Sequence, residues 1–143
     1  MTYFFDTSAL VKIYHKEPGM DIVLPVYNSN NVIFISELSR LEFVSTIHRK
    51  FRNKEIDRVS LQMLEDRFLS DVYNRFRIIP LTPLLIDTAI DLITEHGRIR
   101  HLITLDAIQL STFSSITDSA VFVSGDNRLN SLIKYIGFNL LEV

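Results

Sequence analysis

Short apolar runs alternate along the chain with longer segments in which apolar residues recur every three or four positions. The runs lie at Thr2 to Phe5, Val32 to Ile35, Phe76 to Ile79, Ala120 to Val123 and Asn139 to Val143. Each reads as a strand, and the periodic segments between them read as helices. Alternation of this kind predicts a parallel sheet. The first, second and fourth runs are continuously apolar, as strands are when helices cover both faces of a sheet. The expected fold class is therefore α/β, a three-layer α/β/α sandwich with a central parallel sheet.

Several residues punctuate the pattern. Thr82 is placed to cap a helix with Pro83 in its first turn and Gly97 beyond its end,. The segment Asn127 to Ile136 stops at Gly137, and Asp57 is placed to cap the helix that follows it,. Pro25 falls inside the short candidate helix Met20 to Tyr27, which predicts a kink or a helix of two turns,. In parallel sheets of this kind, ligands bind beyond the carboxyl ends of the strands, where the strand order reverses. Chemistry is thus expected at strand-to-helix junctions.

At 143 residues the chain predicts a single domain spanning 1–143,. Hydrophobic residues make up 47% and charged residues 22%, enough apolar material for a core, and no repeat or linker-like stretch interrupts it,. Cysteine is absent, which excludes disulfides and thiolate metal sites and fits a reducing cytoplasm, the expected location,. No apolar run approaches the ~20 residues of a membrane span, and no signal-peptide pattern opens the chain. The formal charge of −2 gives the whole molecule no general attraction to polyanions,. Nucleic-acid binding would have to come from a local patch.

Most of the 17 acidic residues have an ordinary explanation. Asp66, Asp71, Asp87, Asp91 and Glu95 recur among apolar residues on amphipathic helices and read as a solvated outer face. Asp6 and Asp126 differ, because each stands just after a strand ("YFFD", "VFVSGD") and just before a helix. Either alone reads as a helix cap. In a parallel sheet the two junctions share one edge, so their carboxylates are placed to converge. Asp106 interrupts "LITLDAIQL" with Ile103, Leu110 and Phe113 on its own helical face, so it is expected to be at least half buried. A buried carboxylate needs a basic partner, a helix N-terminus or a metal ion, and Arg100 and His101 are the nearest basic partners in sequence. Glu42 lies beside Leu38 and Thr46 on the flank of an apolar arc formed by Phe43, Val44, Ile47 and Phe51, and period alone turns it to solvent. Glu37 competes with it but sits at a helix start, where an acid suits the dipole.

Together "YFFDTSALVK", "SRLEF", "LITLDAIQLS" and "FVSGDNRL" resemble the PIN domain family, and within it the VapC-type toxins of toxin–antitoxin pairs. The resemblance spans the whole chain. It implies a metal-dependent ribonuclease in a small α/β/α sandwich, with Asp6, Glu42, Asp106 and Asp126 matching the acidic quartet of the family. Ser8 and Ser124 match positions that usually bear a hydroxyl, and Thr7 and Ser8 are placed to orient Asp6. The family often has a basic residue shortly before the third acid. Here that role would pass to Arg98, Arg100 or His101.

Four converging carboxylates repel one another unless a divalent cation joins them. Oxygen ligands alone suit Mg²⁺ or Mn²⁺ rather than zinc, with one or two ions. Asp6, Glu42 and Asp106 are expected to bind the first ion, and Asp126 to help a second or hold a water. By resemblance the products carry a 5′-phosphate and a 3′-hydroxyl. RNA also needs cations, and with the quartet set aside 15 basic residues face the remaining 13 acidic ones. Two clusters stand out, His48 to Lys54 and Gly97 to His101, of which the second is expected nearer the site. Lys12, Arg98, Arg100 and Arg128 are the candidate RNA contacts.

The resemblance further implies a cognate antitoxin over the acidic cleft and a homodimer; the Phe, Leu and Ile positions of Asp21 to Tyr27 and Val59 to Tyr73 suit either contact, and core packing explains them equally well. Two other readings compete. A receiver-like signalling domain needs an acid at the end of a central strand, but the third strand ends "RIIPLTP". A catalytically silent PIN-fold module that binds RNA or protein would keep the fold without the chemistry, yet all four acids are present.

Overall fold

The structure, a computed structural model, describes residues 1–116 and 119–143. Its first strand, β1 (Thr2–Phe5), ends with two phenylalanines that face opposite ways, because successive side chains alternate across a strand,. Phe5 joins one apolar cluster with Leu10, Ile33, Phe43 and Phe68, and Phe4 joins the other with Leu110, Phe113, Phe122 and Ile133. Both faces of the sheet are therefore covered. An uninterrupted apolar run is the sequence such a strand requires.

After β1 come α1 (Thr7–Tyr14), α2 (Met20–Asn28), β2 (Val32–Ser36), α3 (Glu37–Arg52) and α4 (Arg58–Asn74). The chain continues with β3 (Arg77–Ile79), α5 (Pro83–His96), α6 (Thr104–Ser114), β4 (Val121–Ser124), α7 (Asn127–Ile136) and β5 (Leu140–Glu142). All strand pairs are parallel, in the order β3-β2-β1-β4-β5. The order reverses between β1 and β4. Each expected strand is present, with bounds moved by one residue at β2, β3 and β4 and with a shorter β5. Among the described residues, no helix is long and apolar enough to cross a membrane.

The expected caps are in place. Asp57 accepts from the Ser60 N–H, Thr82 from the Leu85 N–H, and α7 ends at Gly137 in the left-handed conformation, φ 91°,. Pro25 lies inside α2 as expected, and the helix stays short at nine residues. The proline removes one bond to the Asp21 carbonyl, and both residues lie on the exposed side, where that carbonyl is open to solvent,. Asp71 departs from expectation. It accepts hydroxyl hydrogen bonds from Tyr14 and from Tyr27 (2.7 Å), so it anchors α4 to α1 and α2 instead of facing solvent.

Candidate active site

Asp6 follows β1 in extended backbone and caps α1. Its Oδ1 accepts from the Ala9 N–H at 2.9 Å and from the Ser8 hydroxyl at 2.6 Å. Because Phe5 is level with Val123 on the neighbouring strand, Asp126 emerges at the same sheet edge. There it caps α7, accepting from the N–H groups of Arg128 (2.9 Å) and Leu129 (3.1 Å). Two hydroxyls join the junctions: Ser8 accepts from the Gly125 N–H at 2.8 Å, and Ser124 accepts from the Asp126 N–H at 3.0 Å.

Glu42 reaches the same edge from α3. Its Oε1 accepts from the Thr7 hydroxyl at 2.9 Å and from the Gln109 amide at 2.8 Å. Thr7 thus orients Glu42, and Ser8 alone of that pair orients Asp6. Asp106, in the first turn of α6, pairs with Arg128 at 2.7 Å, and Arg128 also lies 3.7 Å from Asp126. The basic partner of Asp106 is therefore the partly exposed Arg128, while His101 contributes only its carbonyl, which accepts from Arg128 at 3.0 Å. Glu37 stays out of the site and accepts from the Leu81 N–H instead.

All four acids line one open cleft of about 440 Å³. Burial pushes the Asp6 carboxyl up to about 6, against the pull of the Ser124 and Ser8 hydroxyls and the Ala9 N–H, and nearby Asp126 adds to the rise,. Asp106 is raised as well, mainly by burial, which outweighs the attraction of Arg128. Carboxylates that resist ionisation beside one another are a donor set for a hard divalent cation, since only oxygen is on offer. The donor chemistry fits magnesium or manganese. Even so, among the described residues no three His, Asp or Glu side chains stand close enough together to hold an ion. Glu42 is turned to Thr7 and Gln109, and Asp106 to Arg128.

The cations fall differently from expectation. Lys12 lines the cleft, but Arg98 is exposed outside it. Arg100 stacks on the Tyr135 ring, 4.1 Å from its centroid, and so turns away,. The cluster nearer the site is His48 to Lys54, which supplies Arg49 and Lys50 to the cleft wall. Lys50 binds Glu17 at 2.7 Å and Glu55 at 3.3 Å, and Lys12 donates to the Pro18 carbonyl at 2.7 Å. Helical spacing carried this signal, since Glu42, Thr46, Arg49 and Lys50 stand at i, i+4, i+7 and i+8 on one face. Gln109 was legible in the same way, one turn after Asp106. It is almost fully buried, and its Oε1 has no partner among the described residues.

Several solved structures share this fold across nearly their whole length. VapBC2 from Rickettsia felis, bound to a DNA fragment from its promoter, is 20% identical with a TM-score of 0.67, covering 100% of this chain and 99% of that one. VapC20 of Mycobacterium tuberculosis, a toxin that cleaves the sarcin–ricin loop, is 16% identical with a TM-score of 0.69 over 99% and 98%. A toxin–antitoxin complex from Klebsiella pneumoniae is 17% identical with a TM-score of 0.66 over 99% of both chains. No curated protein sequence matches the chain. The PIN domain model matches residues 3–134, so with its parallel five-stranded sheet and acid-lined cleft the chain belongs to the PIN domain family.

Proposed function

We propose that this chain is a divalent-metal-dependent ribonuclease and the toxin of a toxin–antitoxin pair. The observation that carries the reading is the convergence of Asp6, Glu42, Asp106 and Asp126, from four separate elements, on one cleft at the strand-order reversal. Membership of the PIN family and the likeness to toxin structures support it.

Asp6, Glu42 and Asp106 would hold Mg²⁺ or Mn²⁺, with Asp126 at a second ion or a water. Such an ion, when bound, supplies Lewis-acid polarisation of a phosphodiester and activation of water. The protein supplies the rest. Ser8 and the Ala9 N–H fix the Asp6 carboxylate, Thr7 and Gln109 fix Glu42, and the α7 N–H groups fix Asp126. Binding an ion would require Glu42 and Asp106 to turn from their present partners towards Asp6. Lys12, Arg49 and Lys50 line the cleft wall, where an RNA backbone would meet positive charge,. An antitoxin would cover this cleft, and with a second copy of the chain it would hide exposed apolar positions such as Val59, Met63 and Tyr73 of α4 and Leu84 and Ile90 of α5.

Cleavage of a mixed RNA pool tests the proposal. Wild type is expected to cut with Mg²⁺ and to stop in EDTA or with Asp6→Asn. Cleavage indifferent to both would refute it. The pairing of Asp106 with Arg128 favours a second reading, a silent RNA- or protein-binding module, which gains if wild type binds RNA tightly and cuts none.

A further inference from the structure

Arg128 stands in the first turn of α7 with two oxygens accepting from its guanidinium and a third, on Asp126, in ion-pair range. One terminal nitrogen lies 2.7 Å from Asp106 Oδ2 and 3.7 Å from Asp126 Oδ2, and the other donates to the His101 carbonyl at 3.0 Å. The side chain therefore bridges acids that belong to different elements, α6 and the start of α7. Asp106 is 13% exposed, so its charge requires a partner, and among the described residues it pairs with Arg128,. Two carboxylates and a carbonyl gathered on one cation resemble the oxygen shell of a hard metal ion more than an ordinary surface ion pair. The guanidinium also accounts for the dispersed acids: one of the four is already taken.

The geometry points to Arg128 as the internal cation of the metal-free cleft, holding Asp106 and Asp126 until a divalent ion claims those carboxylates and the guanidinium withdraws from Asp106. This rests on the metal-binding reading above and adds to it a competitor built into the chain. Metal affinity is then set partly by displacing Arg128. The opposite role, a clamp that presets Asp106 for the ion, makes the opposite prediction: loss of Arg128 would weaken metal binding.

Calorimetric titration of Mn²⁺ into the full chain separates the two, with unfolding temperatures recorded in EDTA and in Mn²⁺. Arg128→Ala is expected to bind Mn²⁺ about tenfold more tightly than wild type, because a competing unit charge is gone. It should also unfold at a lower temperature in EDTA and gain more degrees from Mn²⁺ than wild type gains. Arg128→Lys, which keeps the charge but not the fork, is expected within about threefold of wild type. Arg49→Met removes a cation that lines the same cleft and pairs with neither acid, and it should tighten binding by less than about threefold,.

Equal or weaker binding by Arg128→Ala overturns the inference. So does an Arg49→Met effect of the same size, since the cause is then the general field of the cleft. If Arg128→Ala does not fold in EDTA, Arg128→Gln carries the same expectation. Heat absent from every variant and from wild type overturns the metal reading and this inference with it, whereas a wild type that binds while Arg128→Ala fails to tighten overturns the inference alone.

Discussion

Gln109 donates its side-chain amide to Glu42 across 2.8 Å, and the same nitrogen lies 2.9 Å from the Ser39 hydroxyl. Gln109 belongs to α6 and Glu42 to α3, so one buried amide links the helices that carry the second and third acids. Its nitrogen must face the carboxylate, because the opposite flip would set oxygen against oxygen.

Gln109→Ala removes these bonds and leaves Glu42 with Thr7 alone. Urea denaturation in EDTA should show a loss of roughly 1 to 3 kcal/mol, the usual cost of stranding a buried polar partner. RNA cleavage should fall as well, since Glu42 loses its fixed rotamer. A loss below about 0.5 kcal/mol, within the range of ordinary surface substitutions, would mark the bond as incidental.

Asp126 serves two ends, and two substitutions separate them. Asp126→Asn keeps an oxygen for the Arg128 and Leu129 N–H groups, so it should hold stability near wild type. Asp126→Ala should lose about 1 kcal/mol as α7 loses its cap. Both remove the carboxylate, and both should abolish cleavage of an RNA pool. Retained cleavage by Asp126→Asn would take Asp126 out of the catalytic set.

The pH dependence of stability follows from Asp6. Its folded value of about 6 lies above the ordinary 3.8 of an unfolded aspartate. Between about pH 4 and pH 6 the folded state keeps a proton that the unfolded chain has released, so stability must fall as pH rises through that window. The fall attributable to this group is at most about 3 kcal/mol, at 1.36 kcal/mol for each unit. Asp6→Asn carries no such proton. In EDTA, the urea midpoint of wild type should therefore drop relative to Asp6→Asn between pH 4 and pH 6.5, and Mg²⁺ should recover the difference at neutral pH. Parallel pH profiles would sink the prediction.

RNA binding, measured in EDTA to prevent cleavage, should report the cations of the cleft wall. Lys12→Ala and Lys50→Ala should each weaken binding and reduce the slope of log affinity against log salt by about 0.7, the value for one phosphate contact on a single strand. Arg98→Ala should leave that slope unchanged, because Arg98 lies outside the cleft. Arg100→Ala should act on stability instead, through its lost stack on Tyr135,.

The strands and caps were legible because their signals are local. Continuous apolar runs bounded by polar turns become doubly covered parallel strands, and Asp57, Thr82 and Gly137 act within one turn of themselves. The acids at β1 and β4 were legible because parallel pairing puts both junctions on one edge. Glu42 was harder, since the partners that turn it inward, Thr7 and Gln109, are 35 and 67 positions away, and a helical period describes only its own helix. Asp71 misled for the same reason, as its partners are tyrosines on α1 and α2. For Arg100 the deciding neighbour was Tyr135, which nearness in sequence to Asp106 does not reveal.

The Gly125 N–H and the Ser8 hydroxyl that receives it are 117 positions apart, and β1 lies between β2 and β4, the second made long after the first. A nascent chain that has exposed Asp6 and Glu42 still lacks the strand that would set Asp126 beside them, and pairing over such a separation waits for both partners. The four acids are therefore not assembled on one edge until β4 and the start of α7 have been made. Until then the emerging chain carries the first acids of the cleft without the last.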